Sequence, residues 1–161
     1  KLLAFAGWGT GVKLWDVSTE QMLWTISEEN ASNNIPSFSF AGNILVTEFE
    51  KQVVCLWNVK TKNLLYRLET SPSSVNNILS NPDGGMLVFL MDYGLFIELW
   101  NAKTGYELGG INGYVSNIIS SSISQDGKLL ATGSVDGVVK LWDLISKRSI
   151  TDFHLERVPC N

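Results

Sequence analysis

The chain has 161 residues, of which 45% are hydrophobic, and this composition is typical of a globular protein that buries a core. Sixteen acidic against 12 basic side chains give a formal charge of −4. This disfavours a nucleic acid as the main partner, because phosphate binding needs a surplus of lysine and arginine. The longest uninterrupted apolar run, Met86 to Met91, is far shorter than the roughly 20 residues that cross a bilayer, so we expect no membrane span.

Short runs of alternating apolar residues, separated by polar or glycine-rich turns, follow one another along the chain. The first unit runs from Leu2 to Ala6, through a glycine-rich turn, into Val12 to Val17 and then Gln21 to Ile26. Later units have four such runs. In the third unit the turn Pro82-Asp83-Gly84 is a strong signal, because proline presets φ and glycine accepts a positive φ. No window shows the 3.6-residue period of a helix, so the pattern predicts an all-β fold.

Each unit contains Leu-Trp followed by Asp or Asn at a nearly constant interval. The four tryptophans lie 42, 43 and 42 residues apart, at Trp15, Trp57, Trp100 and Trp142. A repeat of this length with four strands predicts a β-propeller. We expect one propeller segment over residues 1–161, with repeats at about 1–27, 28–69, 70–111 and 112–157, the first lacking its inner strand.

The sequence resembles the WD-repeat (tryptophan-aspartate) β-propeller family. The fourth unit carries the resemblance most closely, in residues 125–134 (QDGKLLATGS) and 139–143 (VKLWD). The family usually closes its ring at about seven blades, so the resemblance implies part of a larger ring. The missing initiator methionine also leads us to expect a piece of a longer protein. A four-unit ring, and a half-ring that pairs with a second copy, remain open.

The resemblance also implies a buried polar network in each blade. It would link the Trp to a Ser or Thr ten residues earlier, an Asp six residues earlier and a His in the loop that leads into the blade, because buried indole N–H and hydroxyl groups need partners. In the fourth unit Thr132 and Asp136 fit, and Tyr114 takes the place of the His. The other units fit less well, with Thr47 but Lys51 in the second, Phe89 or Leu90 in the third, and Phe5 and Gly9 in the first. We expect apolar packing to dominate, with one partial polar network in the last blade.

No set of acids, bases or nucleophiles converges in a way that indicates catalysis, so we expect no enzyme, no cofactor and no metal site. His154 is the single histidine and lies in an outer-strand run, where a solvated or core-edge side chain is a better interpretation than a ligand or a base. Cys55 and Cys160 lack metal or redox spacing. The run from Gly7 to Gly11 leads into a strand and not a helix, so it predicts a hairpin turn and not a phosphate loop.

Binding remains as the expected function. The resemblance implies that peptides or partner domains dock on the face that carries the loops into the blades and the turns between second and third strands. The candidate contact residues at those turns are Trp8, Glu50, Tyr93 and Val135. Exposed aromatic residues supply large, rigid contact area, although packing between blades is the alternative for Trp8 and Tyr93.

The predicted function is therefore a non-enzymatic protein–protein interaction scaffold. The alternative is a regulatory or sensor segment of a larger multidomain enzyme or signalling ATPase. We expect protein or peptide partners and an intracellular, cytoplasmic location, with a nuclear or complex-bound location as the alternative. Either the rest of the propeller or a second copy is expected to complete the ring.

Replacing Trp142 by alanine is expected to destabilise the protein by about 3 kcal/mol or more, as large-to-small changes in a core do. Thermal unfolding of the variant and the parent measures the loss. A melting curve that does not differ from that of the parent would contradict the placement of this indole in the core.

Overall fold

The computed structural model describes residues 1–7, 11–26, 37–41, 43–50, 52–71, 73, 75–81, 83–91, 95–112 and 116–154, with side chains for all of these except 6, 7, 37–41, 49 and 50. These residues form fifteen β-strands and no helix. The prediction of an all-β chain of propeller blades is confirmed.

The strands group into four antiparallel sheets, each of which follows chain order. The first blade has three strands, β1 (Leu2–Gly7), β2 (Gly11–Asp16) and β3 (Gln21–Ile26). The second blade has β4 (Ser37–Ala41), β5 (Ile44–Glu50), β6 (Val53–Asn58) and β7 (Leu64–Glu69). The third has β8 (Val75–Ser80), β9 (Met86–Met91), β10 (Phe96–Asn101) and β11 (Glu107–Asn112). The fourth has β12 (Ile118–Ile123), β13 (Leu129–Ser134), β14 (Val138–Asp143) and β15 (Arg148–His154).

The first strands of neighbouring four-stranded blades contact one another, β4 with β8 and β8 with β12. These strands therefore form the inner edge of the array, and the fourth strands lie outside. The turns between second and third strands lie at one end of the blades, and the turns between third and fourth strands lie at the other. This arrangement gives the array two distinct loop-bearing faces.

The core consists of three apolar clusters, one between each pair of adjacent blades. In each cluster the face that carries the Trp of one blade packs against apolar side chains of the preceding blade, because alternate strand residues point to opposite faces. Between the second and third blades the cluster includes Val46, Val54, Leu56 and Leu68 on one side and Leu87, Phe89, Trp100 and Ala102 on the other. The equivalent face of the first blade is exposed at Leu3, Phe5 and Val17.

Hydrogen bonds at the outer strands tie neighbouring blades together. Lys62, in the turn before β7, donates from Nζ to the carbonyl of Leu23 at 2.8 Å. Lys147 occupies the equivalent turn of the fourth blade and donates to the carbonyl of Leu108. Leu23 and Leu108 both lie where the register with the neighbouring strand shifts, so their carbonyls are available for a lysine.

The second and third blades are joined differently at this place. Gly105 takes the turn position of the lysines at a φ of +70°, and a Cβ there would lie 2.8 Å from Tyr66 Cδ1. The Tyr66 hydroxyl donates to the carbonyl of Lys103 at 3.0 Å. An aromatic ring packed on a glycine turn thus replaces the lysine.

One strand is longer than its sequence predicts. The run from Tyr106 to Leu108 predicts a short fourth strand in the third blade, whereas β11 continues to Asn112. Gly109 has a φ of +107° beside the register shift, and this backbone conformation lets the strand continue. The glycine therefore serves a bulge.

Replacing Gly105 by alanine is expected to cost well over 1 kcal/mol of unfolding free energy, because the left-handed backbone alone costs an L-residue about 1–2 kcal/mol and the new methyl meets Tyr66. Chemical denaturation measures this cost. Gly137→Ala is the matched control, since Gly137 has a φ of +83° without the Tyr66 contact. Equal costs at the two glycines would show that packing on Tyr66 contributes nothing.

Candidate interaction surface

The turn between β13 and β14 is the best described part of the predicted binding face. The backbone N–H of Val135 donates to the carbonyl of Asn117 at 3.0 Å, and that of Gly137 donates to the carbonyl of Ser134 at 3.1 Å. The first bond ties the turn to the segment that leads into β12. The Val135 side chain is 56% exposed. The turn therefore presents an apolar side chain on a backbone held at two points.

Asp136 holds this turn in shape. Its Oδ1 accepts hydrogen bonds from Ser134 Oγ at 2.5 Å and from the backbone N–H of Val138 at 3.2 Å. The pKa of Asp136 lies below its ordinary value. The hydrogen bond from the Ser134 hydroxyl is the largest cause, and the bond from the Val138 N–H acts in the same direction. The carboxylate thus stays charged and organises the hairpin directly behind Val135.

Two of the four tryptophans of the Leu-Trp motif donate a hydrogen bond from the indole to a threonine ten residues earlier. Trp142 Nε1 donates to Thr132 Oγ1 at 2.9 Å, and Trp57 Nε1 donates to Thr47 Oγ1 at 2.8 Å. Thr132 and Thr47 are both buried, so each hydroxyl satisfies a donor that water does not reach. Polar support therefore exists in the second blade as well as in the fourth.

The third blade uses a carboxylate. Trp100 pairs with Leu87 as Trp142 pairs with Leu130, which places Phe89 where the fourth blade has its threonine. Trp100 Nε1 donates instead to Oε2 of the buried Glu98 at 3.0 Å, and the backbone N–H of Ser71 donates to Oε1 at 3.0 Å. Glu98 thus joins its own tryptophan to the connection from the second blade.

In the described part of the first blade neither a threonine nor a glutamate accepts a hydrogen bond from the indole N–H of the motif tryptophan. Phe5 lies at the threonine position, with its ring centroid 6.3 Å from that of Trp15. Among the described residues no hydrogen-bond partner reaches the buried Nε1 of Trp15. Polar support for the indole therefore occurs in three blades, and the expectation of a single partial network in the last blade was too narrow.

A second carboxylate lies at the junction of the second and third blades. Glu48 is partly buried on β5, and its Oε1 accepts a hydrogen bond from the backbone N–H of Val75, the first residue of β8, at 3.4 Å. Burial raises the pKa of Glu48 to about 7, against a smaller opposing effect of the Val75 bond. This carboxyl group therefore changes its charge near neutral pH.

The other residues predicted for this face are described only in part. Trp8, Tyr93 and Tyr114 lie outside the described residues. Glu50 ends β5 and its backbone pairs with Val53, but its side chain is not described. Val135 is therefore the one predicted contact residue whose exposure the structure describes.

The described residues contain no cluster of three or more His, Cys, Asp or Glu side chains that could hold a metal ion. Cys55 is buried within β6 and is not in a disulfide. His154 is exposed at the end of β15. Within the described ranges no helix has the length and apolar character of a membrane span.

Sequence reasoning missed the two glutamates at the blade junction. Glu98 had a detectable signal, because strand alternation places it on the same face as Trp100, two residues later, and that face is buried. The sequence pattern Glu48-Phe49-Glu50 at a hairpin end favours two solvated surface charges, whereas Glu48 is partly buried. Its partner Val75 is 27 residues away and belongs to the next blade, which local spacing does not show.

Residues 105–143 match the family model described as WD domain, G-beta repeat. Striatin of Rattus norvegicus is 23% identical over 98% of this chain and 21% of its own length. WD repeat-containing protein AAC3 of Dictyostelium discoideum is 25% identical over 99% of this chain and 34% of its own length. Eukaryotic translation initiation factor 3 subunit I of Culex quinquefasciatus is 27% identical over 98% of this chain and 52% of its own length. The chain thus spans between about a fifth and about half of the length of these relatives.

Among solved structures, the computationally designed Ika8 protein matches with a TM-score of 0.77 and 22% sequence identity. The match covers 94% of this chain and 46% of the designed one. At this level of identity the likeness concerns the fold.

Replacing Glu48 by glutamine is expected to stabilise the protein at pH 8 and to change little at pH 4.5. The folded pKa of about 7 exceeds the ordinary 4.5, so the folded state holds the proton more tightly and the parent loses stability as pH rises between these values. Each pKa unit is worth about 1.4 kcal/mol. Because the group is partly solvated, we expect a gain of about 1–2 kcal/mol at pH 8.

Urea unfolding of parent and variant at several pH values between 4.5 and 8 measures this difference. The exposed Glu69, on β7 of the same blade, provides the matched control as Glu69→Gln. A Glu48→Gln effect that does not vary with pH, or one that Glu69→Gln reproduces, would contradict the assignment.

Proposed function

We propose that this chain, a WD-repeat protein, is a non-enzymatic interaction scaffold that binds peptides or partner domains on the face bearing the turns between second and third strands. The matching repeat and the WD-repeat relatives support a binding role in general. The blades themselves supply the rigid frame, because each is packed against its neighbours through an apolar cluster. Rigid surfaces bind with little loss of conformational entropy.

The observation that carries the proposal is the hairpin turn of the fourth blade. Val135 is exposed while the residues on either side of it, Ser134 and Asp136, hold the turn by hydrogen bonds. Val135 is thus an apolar side chain that a rigid turn exposes to water. Burying it against a partner removes apolar surface from solvent, which favours binding. Trp8 and Tyr93, at the matching turns of other blades, are proposed to extend this contact, and Glu50 is proposed to add an acidic group.

A second candidate is a regulatory or sensor role within a larger multidomain enzyme or signalling ATPase. The comparison of lengths favours a larger context, because the chain spans at most about half of the relatives named above. In that context we propose that further blades complete a larger ring, about seven in all, and that the turn-bearing face remains the binding surface. The two candidates therefore share the contact residues.

The test is an affinity capture with this chain as bait, followed by titration of each captured protein. Val135→Asp is expected to weaken binding at least about tenfold, because a charge in an apolar contact must be desolvated. Ile145→Asp is the matched control, since Ile145 is 73% exposed in the turn at the opposite end of β14. A partner weakened only by Ile145→Asp, or by neither variant, would contradict the proposed face.

A further inference from the structure

A cavity of about 140 Å³ lies between the first strands of the third and fourth blades and is open to solvent on one side, where Asn76, Asn77 and Ile119 are exposed. β8 contributes Asn76 and Asn77, β12 contributes residues 118–121, and Leu90 lies on β9. The lining carries amide and hydroxyl groups with three aliphatic side chains, and none of the lining residues is charged. The cavity is comparable in volume to an engineered cavity of about 150 Å³ that accepts a benzene ring, so one side chain fits.

Matching bulges in the two inner strands accompany the cavity. In β8 the register with β9 shifts between Val75 and Asn77, and in β12 the register with β13 shifts between Ile118 and Ser120. The bulged residues, Asn76 and Ile119, both line the cavity. A bulge bends its strand and redirects a side chain, and bulges are frequent beside binding sites.

The two blades close together away from this opening. Leu130 and Trp142 of the fourth blade pack on Ile97 and Leu99 of the third. Within the lining itself, Asn77 Nδ2 donates to Ser121 Oγ at 3.1 Å and bridges the two strands. The opening is therefore a local feature of the inner edge, with a polar bridge across it.

The cavity lies at the turn-bearing end of the blades. Ile118, at the start of β12, pairs with Ser134, the residue before Val135. Ile119 is 70% exposed next to it. A peptide lying across the Val135 turn is thus close enough to place one side chain in the cavity and an apolar neighbour against Ile119.

The chemistry of the lining selects the kind of side chain. A carboxylate or an ammonium group would lose water without meeting an opposite charge, which is costly. A purely apolar side chain would offer no hydrogen-bond partner to the Asn77 amide and the Ser121 hydroxyl beyond the bond that joins these two groups. A carboxamide offers both N–H donors and a carbonyl acceptor, which match the mixed donors and acceptors of Asn and Ser side chains.

We propose that this cavity between the third and fourth blades binds the side-chain carboxamide of an asparagine or glutamine in a protein partner. The proposal rests on the proposed function, because it names the chemistry of the segment that the scaffold holds. Asn77 and Ser121 supply the hydrogen bonds, and Ile119 contacts the residue next to the carboxamide.

The test uses the full chain and a small probe, N-acetylglutamine methylamide, titrated while the ¹H–¹⁵N NMR signals of the Asn77 side-chain amide are followed. Saturable shifts are expected, and Ser121→Ala is expected to weaken the probe at least about fivefold. Ser122→Ala is the matched control, because Ser122 is the next residue of β12 and does not line this cavity. N-acetylglutamate methylamide and N-acetylnorvaline methylamide are expected to bind more weakly than the glutamine probe.

Unsaturable shifts, equal binding of the glutamate or norvaline probe, or equal loss in Ser121→Ala and Ser122→Ala would overturn the proposal. The result is separable from the test of the scaffold. If the Val135→Asp variant still binds the glutamine probe and its affinity for protein partners is unchanged, the proposed binding face is contradicted and the cavity proposal is supported. If Val135→Asp weakens the binding of captured proteins but the glutamine probe does not bind the parent chain, the binding face is supported and the cavity proposal is contradicted.

Discussion

The packing of each tryptophan-bearing face on the preceding blade is the interaction on which the rest of the structure depends. A four-stranded sheet has two faces, and neither is buried unless a neighbour covers it. In this chain the second, third and fourth blades each bury that face in a separate apolar cluster. The cost is that an indole N–H is carried into the interface together with the ring and must find an acceptor there.

The blades meet this requirement in different ways. Threonine hydroxyls accept the indole bond in the second and fourth blades, and Glu98 accepts it in the third. The carboxylate of Glu98 has a further effect, because it also accepts a hydrogen bond from the backbone N–H of Ser71. This bond fixes the connection between the second and third blades. Where threonine is replaced by Phe89, ring packing against Trp100 fills the space, with centroids 6.2 Å apart. The need for an acceptor of the indole N–H is thus met by different residues in different blades of one chain.

Most of the fold could be predicted from the sequence, because the period of the Leu-Trp motif and the alternation within strands are local signals. The three-stranded first sheet and the four-stranded later sheets follow from counting those runs. The candidate site was less accessible to such reasoning. The role of Glu48 and the cavity beside Asn77 depend on contacts between blades, 27 and 44 residues apart in sequence. Such contacts depend on how two sheets pack, and a linear pattern of polar and apolar residues carries little information about that.

The outer turns have a consequence for how such a chain can be rearranged. Lysines at two of these turns reach the preceding blade through flexible side chains, so their neighbours need only offer a carbonyl. Tyr66 is more demanding, since its ring leaves no room for a Cβ at the Gly105 position. Loss of the third blade would bring Lys147 to the place where Tyr66 requires glycine. The second and third blades are therefore a matched pair, and a duplication or deletion of repeats in this chain would be tolerated best when it moves the two blades together.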